Sequence, residues 1–313
     1  MHSSNIRSPA RVGPYLLLRK LAVGGTSSVY VGRHVGLGGD CAVKVLDPEL
    51  SRSVDARRRF RREAVVLARL DDPGIPRSRG ASLDEGYHYI AMDLVRGYSL
   101  HDLLRHRPLS PENAARCGHD IASALAHAHA AGVVHGDVKP ENVLIDERGA
   151  VKLIDFGLAR DLLEPLESLP DAGVGYGTPW YMAPEQWRGA AVDGRADVYA
   201  LGVLLFRALT LDVPYPGATP MEVFEAQSAR RARRLSDHRT NIDPALVAIV
   251  ERATRLDPRQ RFGSAQPSQD AQQGQPDHGP VSFGESPQHR LAAQFRFEDL
   301  GGGFDHRSLS VGK

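Results

Sequence analysis

The 313-residue chain is 42% hydrophobic and 25% charged, an ordinary globular balance with length enough for a two-lobed enzyme. With 39 basic against 38 acidic residues the formal net charge is +1, so the whole-chain balance gives no reason to expect nucleic-acid or membrane-surface binding. No apolar run approaches the roughly 20 residues that cross a bilayer, residues 1–7 lack the apolar core of a signal peptide, and Cys41 and Cys117 fit no metal-ligand spacing; a cytoplasmic protein with reduced thiols and no membrane anchor is expected.

In chain order, the polar segment 1–14, with Pro9, Gly13 and Pro14, reads as a loose, flexible lead-in. From Tyr15 to Val31 the pattern predicts a strand, a Gly-containing turn and a second strand, and Asp40-Cys-Ala-Val-Lys-Val45 predicts a third after Gly36-Leu-Gly-Gly39. Val54 to Leu70 places Phe60, Ala64, Leu67 and Ala68 on one helical face and ends at the stop signal Asp71-Asp-Pro-Gly74. Tyr87 to Val95 is the next strand, and Arg96-Gly97 the join to a helix-rich remainder. Helices are predicted over Pro111–Ala131, Val198–Thr210, which is apolar throughout, and Pro244–Thr254. There is no internal repeat, and after Phe262 the texture turns to Gln, Pro, Gly, Ser and His, too poor in apolar surface to offset its ordering entropy.

Chemistry concentrates in His135-Gly-Asp137-Val-Lys139-Pro-Glu-Asn142, followed by two short apolar strands, Val143-Leu-Ile145 and Val151-Lys-Leu-Ile154, joined by the turn Asp146-Glu-Arg-Gly149, and then by Asp155-Phe156-Gly157. A hairpin between them brings two acid-bearing loops to one place. Phosphoryl transfer needs a carboxylate for a hydroxyl proton, a cation near the moving phosphate and oxygen ligands for a hard metal, and Asp137, Lys139, Asn142 and Asp155 supply these groups.

These two loops resemble the catalytic and magnesium loops of protein kinases, with the bacterial, Hanks-type Ser/Thr kinases the nearest in style. The likeness covers about Tyr15 to Phe262. It implies an α+β, bilobal protein-kinase-like fold: a flexible segment 1–14, a small β-rich lobe over 15–95, a larger helical lobe over 96–265, and a low-complexity, disordered tail over 266–313. It implies ATP and Mg2+, or Mn2+ in its place, and protein substrates carrying Ser or Thr, with autophosphorylation among the reactions. By the same resemblance Asp137 orients the substrate hydroxyl and accepts its proton, Lys139 lies near the transferred phosphate, and Asn142 and Asp155 hold the metal. Lys44, in Ala42-Val43-Lys44-Val45, contacts the phosphates and pairs with a helix glutamate. Glu63 is the candidate, with Glu49 the runner-up.

The stretch Leu21-Ala22-Val23-Gly24-Gly25-Thr26-Ser27-Ser28-Val29-Tyr30 falls where the family has its glycine-rich loop. Taken alone it reads as a hairpin turn; in context Leu21, Ala22, Gly24 and Ser27 would border the nucleotide, with Gly24 retained and Ala22 and Ser27 standing where the family has its first and third glycines. Met92-Asp93-Leu94-Val95 resembles the hinge: backbone groups of Asp93 and Val95 would read the adenine edge, Met92 would border the back of the pocket, and Val29, Ala42 and Leu144 would sandwich the base. His135 is expected to pack on Phe156, Asp197 to accept from the catalytic-loop backbone, and Glu185 to be anchored by Arg261. Gly177-Thr178-Pro and Ala183-Pro184-Glu185 resemble the peptide-accepting segment, Thr178 being typical of Ser/Thr specificity.

The chain departs from the pattern at Gly136, where many regulated kinases carry arginine. Glycine cannot pair with a phosphorylated loop residue, so an activation loop held active without phosphorylation is expected for 158–176, a segment that offers Ser168 and Tyr176 among several acids. A last amphipathic helix after Phe262 is implied by the family and unsupported by the composition. The basic runs 57–62 and 230–234 read as solvated faces. The alternatives are a pseudokinase, a nucleotide-binding or scaffolding module motivated by Ala22, Ser27 and Gly136, and a small-molecule kinase of the same fold, which the peptide-accepting segments disfavour.

Overall fold

The computed structural model describes residues 10–83, 87–162 and 178–263. Its first part is a six-stranded antiparallel sheet made of β1 (Ala10–Val12), β2 (Tyr15–Val23), β3 (Ser27–His34), β4 (Asp40–Leu46), β5 (Ser78–Ser82) and β6 (Tyr89–Met92), in the order β1-β2-β3-β4-β6-β5. The sheet begins five residues before the expected Tyr15. Gly13-Pro14 is a two-residue hairpin loop, with Val12 opposite Tyr15, and not part of a loose lead-in. Gly13 takes φ +55, as such a loop requires, and Val12 is buried against Tyr15 and Leu17. The brevity of Ala10–Val12 hid it from a reading by alternation. Register shifts at Leu17/Arg19 and Lys20/Ala22 bulge β2 against β3 and increase the local twist.

Between β4 and β5 runs α1 (Val54–Arg69), within a residue of its predicted span. Ser53 caps it by accepting from Ala56 N, and Phe60, Glu63, Ala64 and Leu67 share the buried face. After β6 the chain passes through residues 93–96 to β7 (Gly97–Ser99), which leaves the large sheet and pairs with β9 (Val143–Asp146). Helices follow: α2 (Leu100–Leu104) and α3 (Pro111–Ala130), the latter capped by Ser110 with Pro111 in its first turn. β8 (Val133–Val134) pairs with β11 (Arg160–Asp161), and β10 (Val151–Leu153) with β9. These two short ladders flank the acid-bearing loops.

The rest is helical: α4 (Pro184–Trp187), α5 (Gly194–Thr210), α6 (Pro220–Ser228), α7 (Leu235–His238) and α8 (Pro244–Ala253). α5 starts four residues before the predicted Val198, because Asp193 caps it through Arg195 N, and ends at Leu211 in the left-handed region. Nearly every α5 side chain is buried, which explains a helix apolar all round. One large core joins the inner face of α1 to α3, α5, β9 and β10; a smaller one lies on the large sheet around Val12, Tyr15, Tyr30, Val43 and Tyr89. At roughly 1.5–3 kcal/mol per large buried side chain, this core holds the loops in place. The architecture is the α+β, two-lobed one expected from sequence.

Candidate active site

Two clusters of charge meet beneath the large sheet. In the first, Lys44 extends from β4 with its side chain 11% exposed, donating to Glu63 Oε1 at 2.6 Å and to Asp155 Oδ1 at 2.8 Å. Strand alternation turns Lys44 inward, and the helical period turns Glu63 toward it. Exposed Glu49 stands instead just before a short 3-10 turn, its side chain making no capping bond. Burial by itself would lower the pKa of the Lys44 ammonium, but the carboxylates of Glu63 and Asp155 overcome this and hold it above its ordinary value. Burial also raises Glu63, against the pull of Lys44. The partial desolvation of Asp155, whose side chain is 44% exposed, is outweighed by the charge and hydrogen bond of Lys44, so it stays below the usual carboxylate range. The two acids that share Lys44 are thus shifted in opposite directions, Glu63 upward and Asp155 downward. It sits at φ +65, a conformation rare for a side-chain-bearing residue and concentrated at functional sites.

In the second cluster, Asp137 Oδ2 accepts from Lys139 Nζ at 2.6 Å and from Asn142 Nδ2 at 3.2 Å, and Asn142 Nδ2 also donates to Asp137 O at 2.9 Å. Both bonds use the amide nitrogen of Asn142, which leaves its side-chain oxygen free to accept or to ligate. Two bonds stitch the clusters together: Ile154 N donates to Asn142 O at 2.9 Å, and His135 Nε2 donates to Ile154 O at 3.1 Å. His135 Nδ1 accepts from Asp137 N at 3.2 Å, so the proton belongs on Nε2, and the ring packs on Phe156 with centroids 4.7 Å apart.

Beneath the loop 135–142 lies Asp197, 1% exposed, near the start of α5. Its carboxylate accepts from His135 N, Gly136 N and His129 Nε2, each at 2.8 Å. Burial would raise its pKa, yet the His129 hydrogen bond and the neighbouring donors hold it below the usual range. His129 and Gln186, which donates to Gly136 O at 3.2 Å, escaped the sequence reading. His129 could have been found, since it lies on the helical face of Ile121 and Leu125; Gln186 joins the loop only through tertiary contact. Gly136 has φ +77, and a Cβ there would lie 3.0 Å from Leu158 O.

At the hinge, Ala42 pairs with Met92 and Val29 with Lys44 across the ladder. Met92 lines a small cavity with Glu63, Leu67, Pro76, Ile154, Asp155 and Phe156. Asp93 N donates to Arg77 O at 2.9 Å, and its carboxylate turns aside to Arg79 at 2.6 Å. The Asp93 carbonyl and the Val95 N–H have no partner among the described residues, an acceptor and a donor at the edge of the cleft. Leu144 is half-buried on β9. In the β2–β3 turn, Gly24 N donates to Ser27 O at 2.8 Å; Leu21, Ala22 and Gly24 are exposed at the tip, whereas Ser27 is buried at its base. In the helical part, Arg261 grips Glu185 through two bonds of 2.6 and 2.9 Å and donates also to Arg195 O, Arg255 O and Leu256 O. Residues 163–177, with Ser168, Tyr176 and Gly177, and the tail from 264 lie outside the described residues.

Residues 15–271 match the family model for the protein kinase domain. The chain belongs to that family. The kinase domain is 36% identical over 252 residues to the serine/threonine-protein kinase PknL of Mycobacterium tuberculosis, covering 80% of this chain and 63% of that protein. It is 36% identical over 260 residues to PknB of Mycolicibacterium smegmatis, covering 80% and 41%, and 34% identical over 257 residues to PrkC of Bacillus subtilis, covering 81% and 39%. The kinase domain thus spans between about two fifths and just under two thirds of the length of these bacterial relatives. No helix among the described residues is long and apolar enough to cross a membrane.

Proposed function

We propose that the protein is a serine/threonine protein kinase, which transfers the γ-phosphate of ATP to Ser or Thr hydroxyls of protein substrates and of itself. The observation that carries this is the stitching of Asp137, Lys139 and Asn142 to Asp155, Lys44 and Glu63 through Ile154. Asp137 orients the incoming hydroxyl and takes its proton as the oxygen attacks phosphorus in line with the departing ADP. Lys139, held at 2.6 Å from Asp137 before substrate arrives, meets the charge that develops on the transferred group. Lys44, locked by Glu63, holds the nucleotide phosphates, and the backbone at the tip of the β2–β3 turn lies over them. The Asp93 carbonyl and Val95 N–H read the adenine edge, with Val29, Ala42, Met92 and Leu144 around the base.

The donor set suits a magnesium ion shared with the nucleotide. Among the described residues no cluster of three or more His, Cys, Asp or Glu could enclose a metal, while the Asp155 carboxylate and the Asn142 amide oxygen offer two hard oxygens. Mg2+ commonly takes one or two protein oxygens and fills its octahedron with phosphate and water. When bound, Mg2+, or Mn2+ in its place, neutralises the charge of the phosphates. Residues 93–96 serve as the pivot between lobes. Two buried, unpaired thiols and a demand for ATP accord with a cytoplasmic site of action.

The test is transfer of labelled phosphate from ATP to a generic basic protein and to the chain itself, with mass spectrometry to identify the modified residue type. Asp137→Asn abolishes the transfer and leaves nucleotide binding intact. Binding without transfer by the wild type would make it a pseudokinase, and transfer to small molecules alone would make it a small-molecule kinase.

A further inference from the structure

A second ion pair, buried on its carboxylate side only, joins α1 to the segment after Asp155, and the phosphoryl-transfer chemistry makes no direct use of it. Arg69, in the last turn of α1, donates through Nη1 to Asp161 Oδ2 and through Nη2 to Ala131 O at 2.7 Å. The Asp161 side chain is 6% exposed against 32% for Arg69, so the carboxylate is the buried partner. It stands on β11, whose partner β8 leads directly into the catalytic loop.

Residues 154–160 are tied at both ends to the C-terminal end of α1 and the turn that follows it: before them Leu153 N donates to Gly74 O at 2.7 Å, and after them Asp161 meets Arg69. The same helix presents Glu63 to Lys44 of β4, which in turn donates to Asp155. The ties form a ring from Glu63 through Lys44, Asp155 and Asp161 to Arg69 and back along α1. Two ties set apart along α1 constrain its rotation as well as its translation against the Asp155 loop, which the single contact at Glu63 does not. A buried ion pair is weak evidence for stability, since apolar residues of equal volume often serve as well. Its distinctive property is direction, because the planar guanidinium accepts few orientations.

We propose that Arg69 and Asp161 are positioning residues for phosphoryl transfer, holding α1 and the Asp155 loop in the register at which Glu63, Lys44 and Asp155 meet. The proposal rests on the kinase reading above. It is tested with the full chain and three variants, Asp161→Asn, Arg69→Met and the double substitution. The readouts are thermal melting, kcat and KM for ATP and peptide, the Mg2+ concentration giving half-maximal rate, and hydrogen exchange of the nucleotide-free protein.

Each folded single variant should lose about tenfold in kcat, about 1.4 kcal/mol of barrier, at unchanged peptide KM. Each should also need more Mg2+ and exchange faster over 60–69 and 154–161. The double variant should be no worse than the poorer single one, as for two groups acting as a unit. Arg69→Met strands a buried carboxylate; should it fail to fold, Asp161→Asn and the double variant, which strand none, decide the matter. Folded variants with wild-type kcat, Mg2+ dependence and exchange, or losses that multiply in the double variant, overturn the proposal. A wild type that transfers no phosphate overturns the kinase reading and this proposal with it, while an active wild type with unaffected variants overturns this proposal alone.

Discussion

Replacing Asp197 should damage both the fold and the chemistry, and the size of the loss can be worked from its surroundings. The carboxylate is 1% exposed and accepts three hydrogen bonds of 2.8 Å, from His135 N, Gly136 N and His129 Nε2. Asp197→Ala leaves three buried donors unmatched, at about 1–3 kcal/mol each. Against that stands the several kcal/mol no longer needed to desolvate a carboxylate. The net expectation is a loss of about 3–5 kcal/mol, a third or more of the stability of a typical domain.

Asp197→Asn keeps one acceptor but points an amide N–H at a donor, so about 2–3 kcal/mol is expected. Because the folded-state pKa of Asp197 is held below its ordinary value, its contribution is complete above the unfolded value, about pH 3.9, and fades as pH falls through the folded value. The gap between wild type and Asp197→Asn should therefore be constant from neutral pH to about pH 5 and narrow below about pH 4. Urea unfolding followed by circular dichroism measures it. A loss under about 1 kcal/mol for Asp197→Ala, at unchanged m, would show that the catalytic-loop backbone does not depend on this carboxylate.

Lys44→Met removes the cation between Glu63 and Asp155 and should lower kcat by on the order of a hundredfold or more, the scale of losing one preorganised electrostatic contact; steady-state kinetics at saturating ATP measures it. Arg261→Met leaves Glu185 uncompensated in the core and strips three carbonyls of their donor, so a loss of about 3–5 kcal/mol is expected in denaturant unfolding. Gly136→Ala puts a side chain at φ +77, 3.0 Å from Leu158 O, and should destabilise by about 1–2 kcal/mol in thermal melts. With glycine at that position, dephosphorylated and autophosphorylated protein should phosphorylate substrate at rates within about tenfold, or about 1.4 kcal/mol; a larger gain refutes independence from loop phosphorylation.

Local pattern was enough for much of this protein. The period of α1 pointed Glu63 inward, alternation in β4 pointed Lys44 the same way, and the hairpin between Asn142 and Asp155 brought its two ends together, because spacing sets side-chain direction within one strand or helix. Boundaries drawn from hydrophobicity alone slipped where a cap or a short turn governs: Asp193 starts α5 early, and Gly13-Pro14 recruits Ala10–Val12 into the sheet.

Contacts between distant segments belong to the tertiary structure. His129 beneath Asp197, Gln186 on Gly136 and Arg69 on Asp161 join residues 50 to 92 positions apart, and no periodicity encodes such separations. The residue types of the reaction and their order along the chain were set by the sequence itself. Their orientation was decided by packing, since only the folded core excludes water well enough to make a buried carboxylate or guanidinium depend on one particular partner.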